Sequence, residues 1–576
     1  VGLSARCPFS PSAPFTSTDG DTPMATAHLS PDLIITNAKV LTADARNSRA
    51  EAVAVWNGRI VAVGSARDVE ALKDGRTRVI DMKGRCVLPG LTDPHVHFAD
   101  GGAHMMHRID CRDFYSNVRA IPQITAKIAE QAAQQAPGTW VVAHGSPMQD
   151  FRMPEGRFPN RHDLDAAAPN NPVSINFGAH ITIANSKALE LAGIRSDTAA
   201  PPGGAIEFDA SGEPTGKLVE RAQYLVRNIV PKYDYDQMKE GIKFAAERCL
   251  SRGITNIHDI VTDHSSIRAY QELNQGRELP IRVSMLIRVI EASIKKESLL
   301  NLGIKTGFGD DWLRIGGVKM SIDGGITGHV AKFYEPYVDD PCHEGLIRIE
   351  QDELDETVMA YHKAGHRVCV HAIGDVAMDM ALRSIAAAVK ASPRADHRHR
   401  VEHLGNWLVN KERLDICTEH GILPVPNIPF MHYIWESLLA CIGDKRLEQS
   451  FNIRTMLEAG LQITSGSDGP AYWPLDSLRD LGTAVSRRTW TGKTVGADQA
   501  ISVDDAIRMF TINAAYNAFE EKIKGSIEVG KIADFAVLAN SPHEVAPEAI
   551  KDIPVDMTIV DGKIAFFRNG ADGLSA

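Results

Sequence analysis

Two histidines separated by one residue, His95 and His97, stand in the segment "GLTDPHVHF". If that segment is a β-strand, its period of two puts both imidazoles on one face, as two ligands of one metal ion require. Alone, the pair is as easily structural. Elsewhere, His371 in "CVHAIGD", His403 in "VEHLG" and Asp468 in "SGSDGP" each close a strand-like run. Imidazole nitrogen and carboxylate oxygen are ligands of Zn2+ and related divalent ions. Four His and one Asp at the ends of four strand-like runs therefore point to a metal site.

Lys319 lies inside a further strand-like run, "GGVKMSID". One reading makes it a lysine paired with a neighbouring acid such as Asp323. Charge counting gives another. Two divalent metals bring four positive charges, of which Asp468 and a bridging hydroxide offset two. An ammonium would be repelled there, so the neutral amine is favoured. Its reaction with CO2 gives a carbamate whose two oxygens can bridge both metals.

The elements that must position these groups are legible as alternation. Apolar or β-branched runs occur at 87–98, 253–260, 281–290, 313–323, 366–375, 398–405, 421–428 and 461–468. Helical patterns lie between most of them. Examples are "DQMKEGIKFAAERCLSRG", ending at Gly253, and "QDELDETVMAYHKAG", ending at Gly365. Eight strands alternating with helices predict an α/β fold, a (β/α)8 TIM barrel whose C-terminal strand ends share one catalytic mouth. The barrel is expected over 91–520. The gap after the first strand is too long for one crossover and predicts a large insert over about 105–230. Hairpins with Asn57-Gly58 and Asp561-Gly562 turns flank the barrel region. Too short to stand alone, they predict a composite β-sandwich from 31–90 plus 521–576. Residues 1–30, rich in Ser, Thr and Pro up to a possible start at Met24, read as a disordered tail.

Composition excludes several classes. The chain has 62 Lys and Arg against 73 Asp and Glu, a formal charge of −11, which argues against nucleic-acid or anionic-membrane partners. No apolar run reaches the roughly 18 residues of a spanning helix. Eight scattered Cys form no C-x-x-C pair and suit a reducing, cytoplasmic setting. There is no P-loop, Rossmann fingerprint or G-x-S-x-G elbow.

Together, "GLTDPHVHF", "VKMSIDGG", "VHAIGD", "VEHLG" and "SGSDGP" resemble the metal signatures of the amidohydrolase superfamily. The likeness runs from about residue 32 to the end. It extends to the extended-loop branch, amidohydrolase family 3, which includes N-substituted formamide deformylases, through "NSKALELAGI", "GEPTGKLVE" and "GSIEVGKIADFAVL". The resemblance implies usually zinc, in one or two divalent positions. His95, His97, Lys319 and Asp468 would hold the more buried metal, and Lys319, His371 and His403 the more exposed one. It also implies hydrolysis by a metal-activated hydroxide, with Asp468 as proton shuttle, and it suggests a homodimer.

Other polar residues have two readings each. His180 ("FGAHITIANS") either polarises a substrate carbonyl from the insert or is an exposed loop residue. His144 is similar. His258 and Asp259 read as strand-end structural groups, and Glu402 as a structural residue pointing away from His403. His329 and Tyr334 are candidate pocket residues. "PNIPFMHYIWE" departs from the Gln-Pro-like segment the family leads one to expect after the seventh strand. The expected function is hydrolysis of an amide, N-acyl or N-formyl C–N bond in a small molecule. The rivals are a deaminase or cyclic-amide hydrolase on the same centre, and a non-catalytic regulatory protein on a degenerate barrel, which would be marked by a missing ligand.

Overall fold

A computed structural model describes residues 30–289, 294–326, 329–471 and 473–571. The expected N-terminal tail falls outside these residues, apart from Ser30. Seven strands, β1 Leu91–Val96, β2 Ile254–Val261, β3 Arg282–Arg288, β4 Leu313–Ser321, β5 Val368–His371, β6 Arg400–Glu402 and β7 Leu423–Val425, pair in parallel in that spatial order. Nearly all their residues are buried, and β2 is buried along its whole length. Strands covered on both faces must be apolar without alternation. Helices Tyr235–Leu250, Gln351–Lys363, Asp375–Ala391 and Lys411–His420 are among those covering the outside. The first of them starts at a capping box formed by Asp234 and Gln237. The fold is an α/β barrel with additional sheets.

Two strand expectations need correction. The run 87–98 splits: Cys86–Pro89 pairs within a second sheet, and only Leu91–Val96 joins the barrel. The run 461–468 is extended but is not a strand. It fills the gap between β7 and β1 with one backbone bond to each side, Gly466 N to Pro426 O (3.2 Å) and Asp468 N to His95 O (2.8 Å). Several of its other polar groups are taken by side chains. Ser467 N donates to Asp93 Oδ1 (3.0 Å), and Asn427 Nδ2 donates to Gly466 O (3.0 Å). Asn513 Nδ2 donates to Ile463 O (3.0 Å). Groups satisfied in this way have no need of a ladder. The approach is so close that a Cβ on Gly466 would fall 2.3 Å from the Cβ of His95.

Leu33–Thr36, Ala52–Trp56, Arg59–Gly64 and Arg78–Asp81 form one flanking sheet. Lys39–Leu41, Arg49–Ala50, Cys86–Pro89, Phe535–Leu538, Val555–Val560 and Lys563–Phe567 form another, so both ends of the described chain meet in one layer. Ile35, Val40, Val53, Val87, Phe535 and Met557 build the core between them. Asn57 and Gly58 take φ of 48° and 73°, as the hairpin turn requires. A third sheet, from Ile109–Asp110 to Pro214–Glu220, lies between β1 and β2 in sequence. None of the seven described cysteines is in a disulfide. Among the described residues no helix is long and apolar enough to cross a membrane.

Arg282, at the start of β3, ties the barrel to the flanking sheet. Its side chain is 1% exposed, and Nε and Nη2 donate to Asp534 at 2.7 and 3.1 Å. Removing one member of such a pair leaves a buried uncompensated charge. Arg282→Met should therefore destabilise the protein by about 3–5 kcal/mol, read as an earlier denaturant midpoint. The double variant with Asp534→Leu should recover much of that loss.

Candidate metal centre

His95 sits near the end of β1, and His97 follows it at the start of helix Phe98–His107. That helix start is held by Asp259 of β2, whose carboxylate accepts from Phe98 N (2.5 Å) and Ala99 N (3.2 Å). Asp259 also accepts from Tyr270 Oη (2.7 Å). Donor atoms of His95, His403 and Asp468 lie within 4.8 Å of one another. Asp468 Oδ1 is 3.1 Å from His95 Nε2 and 3.2 Å from His97 Nε2. The His371 ring, at the end of β5, lies 4.5 Å from that of His403. Lys319 is buried in β4 and makes no hydrogen bond with Asp323. Asp323 instead accepts from the backbone N–H groups of Lys332, Ile373 and Gly374.

Burial depresses the basicity of His97 and His371 and takes His403 down to about 3, so these rings are neutral at pH 7. Burial would raise the Asp468 pKa, but the adjacent His95 and His97 rings more than offset this and hold it well below the usual carboxylate range. Burial also pulls the Lys319 amine down to about 8. Neutral imidazoles, an ionised carboxylate and a deprotonatable amine are the states in which these groups bind a cation. His95 Nε2, Lys319 Nζ, His371 Nε2 and Asp468 Oδ1 are buried without a hydrogen bond. Unpaired polar atoms in one buried cluster are costly, and a divalent ion would satisfy them. The donor set fits the metal.

The ring orientations are set from behind. Glu402 is fully buried, and its Oε2 accepts from His95 Nδ1 at 2.5 Å, leaving Nε2 for a metal. Arg400 Nε donates to the other carboxylate oxygen of Glu402. Glu402 thus corrects the expectation that it points away from the site. His403 takes φ of 71°, which ends the strand alternation and lets two successive side chains face inward. Asp468 is also left-handed, at φ 62°. Such backbones cost non-glycine residues of order 1–3 kcal/mol and cluster at functional sites. His403 Nδ1 donates to Asn427 Oδ1 (2.7 Å). Asn427 was not singled out in the sequence, although its position after a strand end was a usable signal.

The centre floors a cavity of about 810 Å3. His97, Lys319, His371, His403 and Asp468 border it, as do Trp407, Phe430, Ile434 and Trp473. Helix Ile428–Leu447 brings Phe430 and Ile434, so "PNIPFMHYIWE" contributes apolar wall. His180 and His144 face the same cavity from the third sheet. Glu220, Asp100 and His104 also border it, and none had been singled out individually. His258 lies deeper, 3.3 Å from Arg400 Nη1. His329 and Tyr334 do not border the cavity. His329 pairs with Asp339 (2.9 Å), and Tyr334 is 59% exposed and bonds to Asp379.

A sequence profile described as "Amidohydrolase family" matches residues 78–566. The chain belongs to the amidohydrolase family. It is 31% identical over 560 residues to "Protein LONG AFTER FAR-RED 3" of Arabidopsis thaliana, covering 92% of this chain and 91% of that protein. It is 30% identical over 568 residues to "N-substituted formamide deformylase" of Arthrobacter pascens, covering 94% and 99% respectively. The fold matches that of an uncharacterized metal-dependent hydrolase from Pyrococcus horikoshii OT3, with a TM-score of 0.71 at 22% identity, covering 89% of this chain and 99% of that one.

Because Glu402 orients His95 rather than occupying the cluster itself, Glu402→Gln should weaken metal binding about 10- to 100-fold without abolishing it. Chelator competition followed by metal analysis reads this out. Unchanged affinity would refute the orienting role.

Proposed function

We propose that this protein is a metal-dependent hydrolase of a C–N bond in a small molecule, an N-acyl or N-formyl amide. The observation that carries this reading is the convergence of unpaired, buried donor atoms and Asp468 on the floor of one cavity. In this reading His95, His97, Lys319 and Asp468 hold one divalent metal, zinc by the nature of the donors, and Lys319, His371 and His403 hold a second. Lys319 would take part as a carbamate, formed when its neutral amine adds to CO2 and releases one proton. When bound, the metal polarises the carbonyl and lowers the pKa of water.

The chain's own groups do the rest. An Asp468 carboxylate oxygen accepts the proton of the attacking water and returns it to the departing amine nitrogen. The left-handed backbone at Asp468 holds that carboxylate over His95 and His97. His180, which borders the same cavity, meets the substrate and polarises its carbonyl. Trp407, Phe430, Ile434 and Trp473 provide an apolar wall for the hydrocarbon part and keep bulk water from the floor. The similarity to a formamide deformylase supports this choice among C–N hydrolyses. No position of the ligand set is lost, which counts against a purely regulatory role.

Purified enzyme should release formate or carboxylate from simple N-substituted amides. Ammonia from amino-heterocycles, with no amide turnover, would replace this reading with a deaminase. Asp468→Asn should keep its melting temperature while kcat falls about 10²–10⁴-fold, and near-normal kcat refutes the proton role. A second test concerns Lys319. Its amine becomes neutral as pH rises through about 8. Reactivation of metal-free enzyme by Zn2+ at constant dissolved CO2 should therefore accelerate roughly tenfold per pH unit below that point. Reactivation independent of CO2 removes the carbamate.

A further inference from the structure

On the cavity wall, Glu220 is held by more constraints than the end of a strand requires. Strand Pro214–Glu220 finishes on it, and its backbone N–H donates to the His180 carbonyl (3.0 Å). Its Oε1 lies 2.6 Å from His180 Nδ1, and its Oε2 accepts from Arg348 Nη2. Gly325 N approaches the same ring nitrogen only to 3.4 Å, so the carboxylate is the dominant partner. Glu220 is 5% exposed, and its backbone sits at φ 48°, ψ −123°, a region that side-chain-bearing residues avoid. The Gln223 amide clamps this turn by donating to the carbonyls of Glu220 (3.1 Å) and Ala179 (2.9 Å).

The barrel makes room for the pair. After β4, the segment Asp323-Gly324-Gly325 passes directly against it. A Cβ on Gly324 would fall 2.8 Å from Glu220 Oε1 and 2.7 Å from Arg348 Nη2. A Cβ on Gly325 would fall 2.5 Å from the His180 ring. Strain, burial and two cleared positions converge on one imidazole that borders the cavity.

We infer that Glu220, itself braced by Arg348, is the positioning residue for His180. It takes the Nδ1–H and so fixes the ring's orientation, leaving Nε2 as the nitrogen turned to the substrate. The insert thereby supplies a second, metal-independent hold on the reacting group. This inference rests on the hydrolase reading and adds a residue to it.

The test is a double-mutant cycle on the full-length, metal-loaded enzyme. Glu220→Gln should lower kcat about 10- to 100-fold with KM within about twofold. In a His180→Asn background the same substitution should change kcat by less than about twofold, because its partner is already gone. Gly325→Ala displaces the ring while leaving the Glu220–Arg348 pair intact, and should reproduce the kcat loss. It carries the cycle if Glu220→Gln fails to fold. A kcat for Glu220→Gln within about threefold of wild type, or losses that multiply in the double variant, overturns the inference. Crystals of the wild type and Glu220→Gln give a readout independent of turnover. A His180 ring displaced in the variant supports the hold, and an unmoved ring overturns it even if the wild type cleaves no amide and the hydrolase reading falls separately.

Discussion

A carboxylate with no solvent contact, Glu402, lies between the guanidinium of Arg400 and the imidazole of His95. A buried charge of this kind persists only when paired and hydrogen-bonded. Arg400 supplies the pairing from the same strand, and also binds Pro94 O (2.8 Å) and Asn517 Oδ1 (2.8 Å). One ion pair thus connects β6, β1 and the helix that follows the barrel. It also decides which nitrogen His95 turns toward the cavity floor. The barrel interior can be polar at this level because the Glu402 charge is committed to Arg400 and His95.

The same logic explains the irregular eighth position. A regular strand over 461–468 would have used its backbone groups on its neighbours. Here Asp93, Asn427 and Asn513 take several of them, and the freed chain turns left-handed at Asp468. Regularity is given up where the carboxylate must face His95 and His97. His403 shows the counterpart on β6, where a left-handed residue brings two adjacent side chains to one side. Both distortions lie just outside the paired strands.

Several separate parts of the chain make the cavity. Strand ends give the donor cluster, helix Ile428–Leu447 gives the apolar wall, and the sheet between β1 and β2 gives His144, His180 and Glu220. The parts meet through close packing, as Gly324 and Gly325 show. The cavity wall therefore draws on elements outside the strand-end motifs.

Much of the barrel and the donor set was legible in the sequence for a local reason. A strand's apolar run and its terminal His or Asp are adjacent residues, so His95, His97, His371, His403 and Asp468 could be placed without knowing any contact. What the sequence by itself determined was the alternation of strands and helices, the turn residues of the flanking hairpins and the types of group at the strand ends. Glu402 was misread because alternation assumes a regular backbone, and His403 is not regular. His329 and Tyr334 were misplaced because proximity to Lys319 along the chain does not carry across a loop. Which side chains stand behind the ligands, and which face the cavity from the insert, was decided only by the tertiary structure. Those contacts join residues tens to hundreds of positions apart, such as His95 with Glu402 and His180 with Glu220. Periodicity and spacing carry no information over that separation.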